Sequence, residues 1–265
     1  TILITIMSFL KFFFLSSAIS TTLLGFTSPI PGPLDIRIGP ESYHLTRIRA
    51  GGTEQRGLLG GVSGTVERRK RNGIYAAADG YYASGILRGH TRVNKDLDSR
   101  YHEAAIEGRA GFTIHSCYAR RFDATPYLGY GYFTAKNALR PPSPIAVVFH
   151  DDYEYLAAGC LTRIVLNEHF SLGVNFTSQF SFGGKSRVTD DPILPDQELK
   201  MGEVMQFEGE LPVRYVGCCM GWPITSTLGF FYRYRWYQGR ENFPYDFFET
   251  RFHIYGVKWV FGTYF

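Results

Sequence analysis

From Phe170 to Phe182 the chain alternates strictly, with Phe170, Leu172, Val174, Phe176, Ser178, Phe180 and Phe182 on one parity and Ser171, Gly173, Asn175, Thr177, Gln179 and Ser181 on the other. A period of two over this length predicts a strand with one apolar face. Residues 224–236 repeat the pattern, setting Leu228, Phe230, Tyr232, Tyr234 and Trp236 against Thr227, Gly229, Arg233 and Arg235. Residues 102–114 set Ile106, Phe112 and Ile114 against Glu103, Glu107 and Arg109. Charge stays on one face in these last two segments. Extended along the chain, the alternation predicts ten strands near 43–50, 56–69, 73–88, 101–114, 124–135, 152–165, 169–182, 206–218, 223–237 and 247–264. No long amphipathic helix competes with them.

The connections alternate in length. Lys70 to Gly73, Asn167-Glu168 and Cys218 to Gly221 are short, whereas 89–100, 136–151 and 183–205 are long. Asn72-Gly73 suits a type I′ hairpin turn, which needs positive φ at both central positions. Short turns at one end and long loops at the other predict an all-β, antiparallel up-and-down transmembrane barrel of about ten strands. Strands of thirteen residues exceed the mode of about five or six for soluble sheets and cover the roughly 9 to 11 that a tilted spanning strand needs. Aromatic side chains gather where strands meet the long loops: Tyr130, Tyr132, Tyr153, Tyr155, Phe180, Phe182, Tyr232, Tyr234 and Trp236. This is the expected girdle of rings at the level of lipid headgroups.

The first 34 residues read differently. Residues 12–34 carry no charge and follow Lys11, and the apolar run from Phe12 to Phe26 is interrupted by serines and threonines and halted by Pro29, Pro31 and Pro33. That is a secretory signal rather than an anchor, since a spanning helix needs about 20 apolar residues. The expected organisation is therefore a signal and upstream residues over 1–34, a linker over 35–42 and a barrel over 43–265.

The end of the chain carries a recognisable pattern. Counting back by two from Phe265 gives Thr263, Phe261, Trp259, Val257 and Tyr255, an uncharged stripe with the spacing Gly256-x-x-Trp259-x-Phe261. Residues 124–132 also run without charge and contain Pro126-Tyr127-x-Gly129-x-Gly131. Both segments resemble strands of bacterial outer-membrane barrels of the OmpA/OmpX/OmpW-like kind. The resemblance implies an outer membrane of the Gram-negative type, contact with its lipid and lipopolysaccharide, and an assembly signal in Gly256, Trp259, Phe261 and Phe265 that is read by the barrel assembly machinery.

Composition then narrows the chemistry. Lys+Arg 28 against Asp+Glu 24 gives a net charge of +4, which excludes a strongly nucleic-acid-binding chain, and the basic tip Glu67 to Arg71 reads as a solvated turn. The charged residues on the face opposite the apolar one form a candidate lumen network: Asp79, Glu103, Glu107, Glu154, Glu208 and Glu210 against Arg109, Arg214, Arg233, Arg235 and Lys258. In a barrel this narrow such pairs either plug the interior or line a narrow path for ions or solutes. Glu249, Arg251 and His253 share the parity of the lipid face and must therefore sit above the bilayer or follow a bulge.

A catalytic alternative rests on acids, histidines and serines near the long loops. Omptin proteases carry paired aspartates in one loop and Asp-x-His in another; Asp96-x-Asp98 resembles the first half, and His150-Asp151-Asp152 adds acids and an imidazole, but Asp-x-His occurs nowhere in the chain. Ser84 and Ser99 near His90 and His102 show no positioned pair. No catalytic residue, cofactor or metal ligand set is assigned. Cys117, Cys218 and Cys219 fall in or beside short turns, where an oxidising compartment permits a disulfide within the chain or to another envelope protein, or leaves free thiols. The expected role is envelope structure or surface interaction through the long loops, with weak channel activity as an option. A small porin and an outer-membrane hydrolase are the alternatives.

Overall fold

The computed structural model describes residues 34–116, 122–192, 195–243 and 246–265. Its strands are β1 (Leu34–Arg49), β2 (Thr53–Arg69), β3 (Gly73–His90), β4 (Asp96–His115), β5 (Phe122–Arg140), β6 (Val148–Val165), β7 (Phe170–Leu172), β8 (Asn175–Ser181), β9 (Lys185–Thr189), β10 (Gln197–Lys200), β11 (Val204–Cys219), β12 (Trp222–Tyr237) and β13 (Thr250–Tyr264). All pairings are antiparallel, and β1 closes on β13 from Asp35 opposite Tyr264 to Arg49 opposite Thr250. Strands β7 and β8 act as one broken strand between β6 and β11, which makes a ring of ten. The hairpin β9–β10 continues the wall beyond the ring by pairing with the loop end of β6.

Closure leaves no free edge around the ring, so the backbone groups of a spanning strand find partners without water. Both chain ends of the described barrel meet at the turn end, where Leu34 and Phe265 exchange backbone bonds. The segment expected as a linker is instead the first half of β1. Asp35, Glu41 and Tyr43 are buried inside, Arg37 faces the same interior cavity, and Ile36 and Ile38 face out. Gly39-Pro40 hid this, because proline is normally a strand breaker; here Pro40 faces outward and stays opposite Val62 of β2. The expected signal over 1–34 lies outside the described residues but for Leu34, which opens β1.

One turn departs from its expected form. At 70–72 positive φ occurs at Asn72 alone, at 48°, so the connection is a three-residue turn closed by a left-handed residue rather than type I′. The two-residue turn is Met220-Gly221, with φ of 52° and 82°, at the end of the β11–β12 hairpin.

The outer face is apolar over a broad belt. Ile38, Leu58, Ile74, Ile106, Leu128, Leu156, Phe176 and Leu211 are all more than half exposed. A soluble monomer rarely shows such a continuous apolar surface, whereas hydrocarbon requires one. Tyr82, Tyr130, Tyr132, Tyr232 and Tyr255 edge the belt on the loop side. Tyr153 and Tyr155, expected in the same girdle, point inward and are 4 % exposed. Their outward neighbours are Asp152 and Glu154, with Tyr132 donating to Asp152 at 3.0 Å. Above the girdle Glu249, Arg251 and His253 do face outward, and the β1–β13 and β12–β13 registers run unbroken past Arg251 and His253. Arg251 donates to Glu249 at 2.8 Å, which holds that carboxyl below the usual carboxylate range, and His253 meets the Tyr232 hydroxyl at 2.8 Å.

Candidate functional site

The interior is layered from the turn end to the loop end. At the turn end Glu67 is buried between Arg37 at 3.1 Å, Arg69 at 3.6 Å and Arg214 at 3.7 Å, while Arg214 also donates to Asp35. Asp123 accepts from Arg163 and pairs with His115 at 2.6 Å. Alternation puts these groups on one face of neighbouring strands, so each carboxylate meets a guanidinium across the ladder or the lumen.

The next layer surrounds a polar cavity of about 170 Å³. Arg109 bonds Glu107 at 2.5 Å, Arg233 bonds Glu208 at 2.7 Å and Lys258 bonds Glu210 at 2.9 Å. Asp79 accepts from Thr65 at 2.7 Å, and Gln179 and Asn175 donate to Glu107 and Glu210. Glu41, Asp79, Glu107, Glu208 and Glu210 all line the cavity.

Above it, Glu103 is fully enclosed. Its carboxylate accepts from Tyr43 at 2.5 Å, Tyr101 at 3.1 Å, Tyr81 at 3.3 Å and Arg235 at 2.9 Å. Arg235 donates in turn to Gln206 at 2.7 Å and lies 4.1 Å from the centre of the Phe133 ring. Glycines make room for these rings: a Cβ on Gly256 would fall 2.3 Å from Tyr43, and one on Gly131 would fall 2.4 Å from Tyr155. Toward the loops the lumen turns apolar, packed with Leu45, Leu59, Leu87, Met201, Phe252 and Ile254, each at most 1 % exposed.

Of the residues expected in the network, Asp79, Glu103, Glu107, Arg109, Glu208, Glu210, Arg214, Arg233 and Arg235 lie inside, as does Lys258. Glu154 does not. It is exposed on the outer wall, because the polar and aromatic run His150 to Tyr155 offers no apolar parity to orient β6. The sequence reading missed Asp35, Arg37, Glu41, Glu67, Arg69, Asp123 and Arg163. The first three lie in the segment expected as a linker, and Glu67 and Arg69 lie in the tip that its run of charge makes look solvated, although they share parity with Thr65.

The other candidates scatter. Asp98 and Asp152 sit on the outer wall, the one opposite Arg140 and the other bonded by Tyr132. Asp151 points in and accepts from Ser186 at 2.6 Å. Ser84 is the cross-strand neighbour of His102, yet that ring bonds Tyr82 at 2.9 Å, while Ser99 is buried against Gln55. No nucleophile and base are brought together among these residues. Among the described residues no group of three or more His, Cys, Asp or Glu is arranged to hold a metal. Trp259 and Phe261 lie on the outer face with rings 4.6 Å apart, Phe265 is exposed at the turn end, and Gly256 faces inward. Cys218 and Cys219 are free thiols beside the Met220-Gly221 turn, and Cys117 lies outside the described residues.

No family model and no curated protein matches the chain. Among solved structures it is similar to the outer membrane protease OmpT of Escherichia coli, at 10 % identity and a TM-score of 0.54, over 92 % of this chain and 100 % of that one. The chain folds as an outer-membrane β-barrel. Weaker likenesses join the barrel to the toluene transporter TodX of Pseudomonas putida, at 9 % identity and a TM-score of 0.40 over 89 % and 90 % of the two chains, and to the attachment invasion locus protein Ail of Yersinia pestis, at 10 % and 0.34 over 87 % and 99 %. At such identities the likeness is one of fold.

Proposed function

We propose that the protein is an integral outer-membrane barrel of a Gram-negative-type bacterium, closed to solutes, that serves envelope structure or surface interaction through the part of its wall standing beyond the membrane. The observation that carries this reading is the enclosed Glu103–Arg235 pair, whose side chains are both 0 % exposed, with an apolar cluster packed on its loop side. A conducting path would need a continuous polar lining. Beyond the girdle the strands continue, and β9–β10 extends the wall further.

The outer wall suits lipopolysaccharide. Arg88, Arg100 and Lys136 face outward on β3, β4 and β5, just past Tyr82, Ile106 and Tyr132, and none makes an ion pair among the described residues. Unpaired cations at headgroup level attract lipid phosphates. At the other end, the outward aromatic stripe of Trp259, Phe261 and Phe265 supports docking of the barrel assembly machinery, and exposed Cys219 offers a thiol for a disulfide with a periplasmic partner.

Purified in detergent, the barrel is expected to migrate faster on gels unheated than boiled and to give no steady conductance in planar bilayers. A stable open-channel current would overturn the closed reading, and a monomer soluble without detergent would overturn the membrane reading.

A further inference from the structure

Seven inward-facing arginines, Arg37, Arg69, Arg109, Arg163, Arg214, Arg233 and Arg235, each have a carboxylate within 4 Å. Two others, Arg47 and Arg49, stand at the loop-side mouth and have none among the described residues. Arg47 is 8 % exposed, and its side chain bonds only neutral Gln55, at 3.2 Å. The Arg49 side chain bonds nothing among the described residues; its guanidinium lies 5.2 Å from the centre of the Phe149 ring and 5.3 Å from that of Phe248. Aromatic faces offset only part of the cost of taking a cation out of water. Two such cations side by side raise that cost.

A second observation points to the same place. Asn137 is 3 % exposed, and neither its amide nitrogen nor its amide oxygen has a partner. Asn137 stands directly across the ladder from Phe149, the ring against which Arg49 rests. The Nε atoms of Arg47 and Arg49 are likewise buried without partners. Asp151, a buried acid near enough to feel both arginines, is engaged by Ser186 and forms no ion pair within 4 Å among the described residues. Arg47 and Arg49 are two residues apart on one strand face, so their Cα atoms are about 7 Å apart, a span that one multidentate anion can bridge.

We propose that the loop-side mouth of the barrel binds a small oxyanion, a phosphate or carboxylate group, between the guanidinium groups of Arg47 and Arg49 and beside the Asn137 amide. The anion supplies the acceptors these buried donors lack, and Arg49, at the strand end, is the half-buried gate through which it is reached. Only the side from which the ligand arrives rests on the reading of the loop end as external. Binding does not, so a failure of one leaves the other standing.

The test is equilibrium dialysis of the detergent-purified barrel against labelled inorganic phosphate and, separately, labelled acetate, at constant ionic strength held with chloride. Saturable binding of at least one is expected, with phosphate alone pointing to a phosphate-bearing ligand and acetate alone to a carboxylate. R49Q should abolish it. R49K, which keeps the charge but not the planar fork, should weaken it by about tenfold and serves should R49Q not fold. R251Q on the outer wall, where the guanidinium is already bonded to Glu249, should leave it unchanged. Absence of saturable binding of either anion, undiminished binding in R49Q and R49K, or equal loss in R251Q would each overturn the proposal.

Discussion

The two halves of the lumen solve the same problem differently. Both must fill the inside of a narrow cylinder whose outer wall is apolar. The turn-side half does it with ion pairs around a polar cavity, and the loop-side half with a close-packed apolar core. Glu103 and Arg235 lie at the boundary and form, among the described residues, the one ion pair in which both side chains are 0 % exposed. A charge-lined lumen and a dry core can thus share one barrel. Paired charges tolerate a wet neighbour, and the apolar layer above them packs without needing partners.

The largest expected effect comes from breaking the boundary. Glu103→Ala removes the acceptor of four donors and leaves Arg235 buried without its partner, at a cost of about 3–5 kcal/mol. Urea unfolding of the barrel in detergent micelles, read from the gel shift, should show the loss. The double replacement Glu103→Leu with Arg235→Met should recover a large part of it, because neither member of the pair is then left as a buried charge without its partner. If the single change were as mild as the double, Glu103 would be in contact with water and the dry half would not be dry.

Within the apolar half, Leu59→Ala should cost about 2–5 kcal/mol in the same unfolding measurement, from lost burial plus the cavity left behind. Leu59 is 0 % exposed and packs in the cluster with Leu45 and Leu87. A change below about 1 kcal/mol would mean that water already reaches this layer, and the closed lumen would lose its support.

The fold was largely legible because alternation reports which side chains share a face. Strands 102–114, 170–182 and 224–236 carry apolar residues on one parity and charge or small polar groups on the other, and each has its apolar set outside. Orientation was lost where that contrast vanished. Residues 150–155 are His, Asp, Asp, Tyr, Glu and Tyr, so either face was plausible, and the tyrosines proved to be the inner one. The apolar upper core was not legible at all. Leu45 shares its parity with Arg47, and Leu59 with Glu67, and period two assigns a face without saying how far along the cylinder its contents change from polar to apolar. The unpaired state of Arg47 and Arg49 is a three-dimensional fact of the same kind. It depends on which carboxylates the closed ring brings within reach, and Asp151 on β6 is turned to Ser186 instead.

The smallest effect sharpens the comparison most, because it repeats the boundary chemistry in the other environment. Lys258 and Glu210 form an ion pair at 2.9 Å, like Arg235 and Glu103, but their side chains are 26 % and 12 % exposed and both line the cavity. Lys258→Met should leave Glu210 holding its bond from Asn175 at 3.1 Å and solvated from the cavity. A pair screened in this way contributes about 1 kcal/mol or less. The unfolding midpoint should therefore move far less than for Glu103→Ala, although each change removes one partner of a carboxylate–cation pair. A comparable loss in the two variants would mean that the cavity behaves as dry protein, and the contrast between the halves would then lie in side-chain chemistry alone and not in access to water.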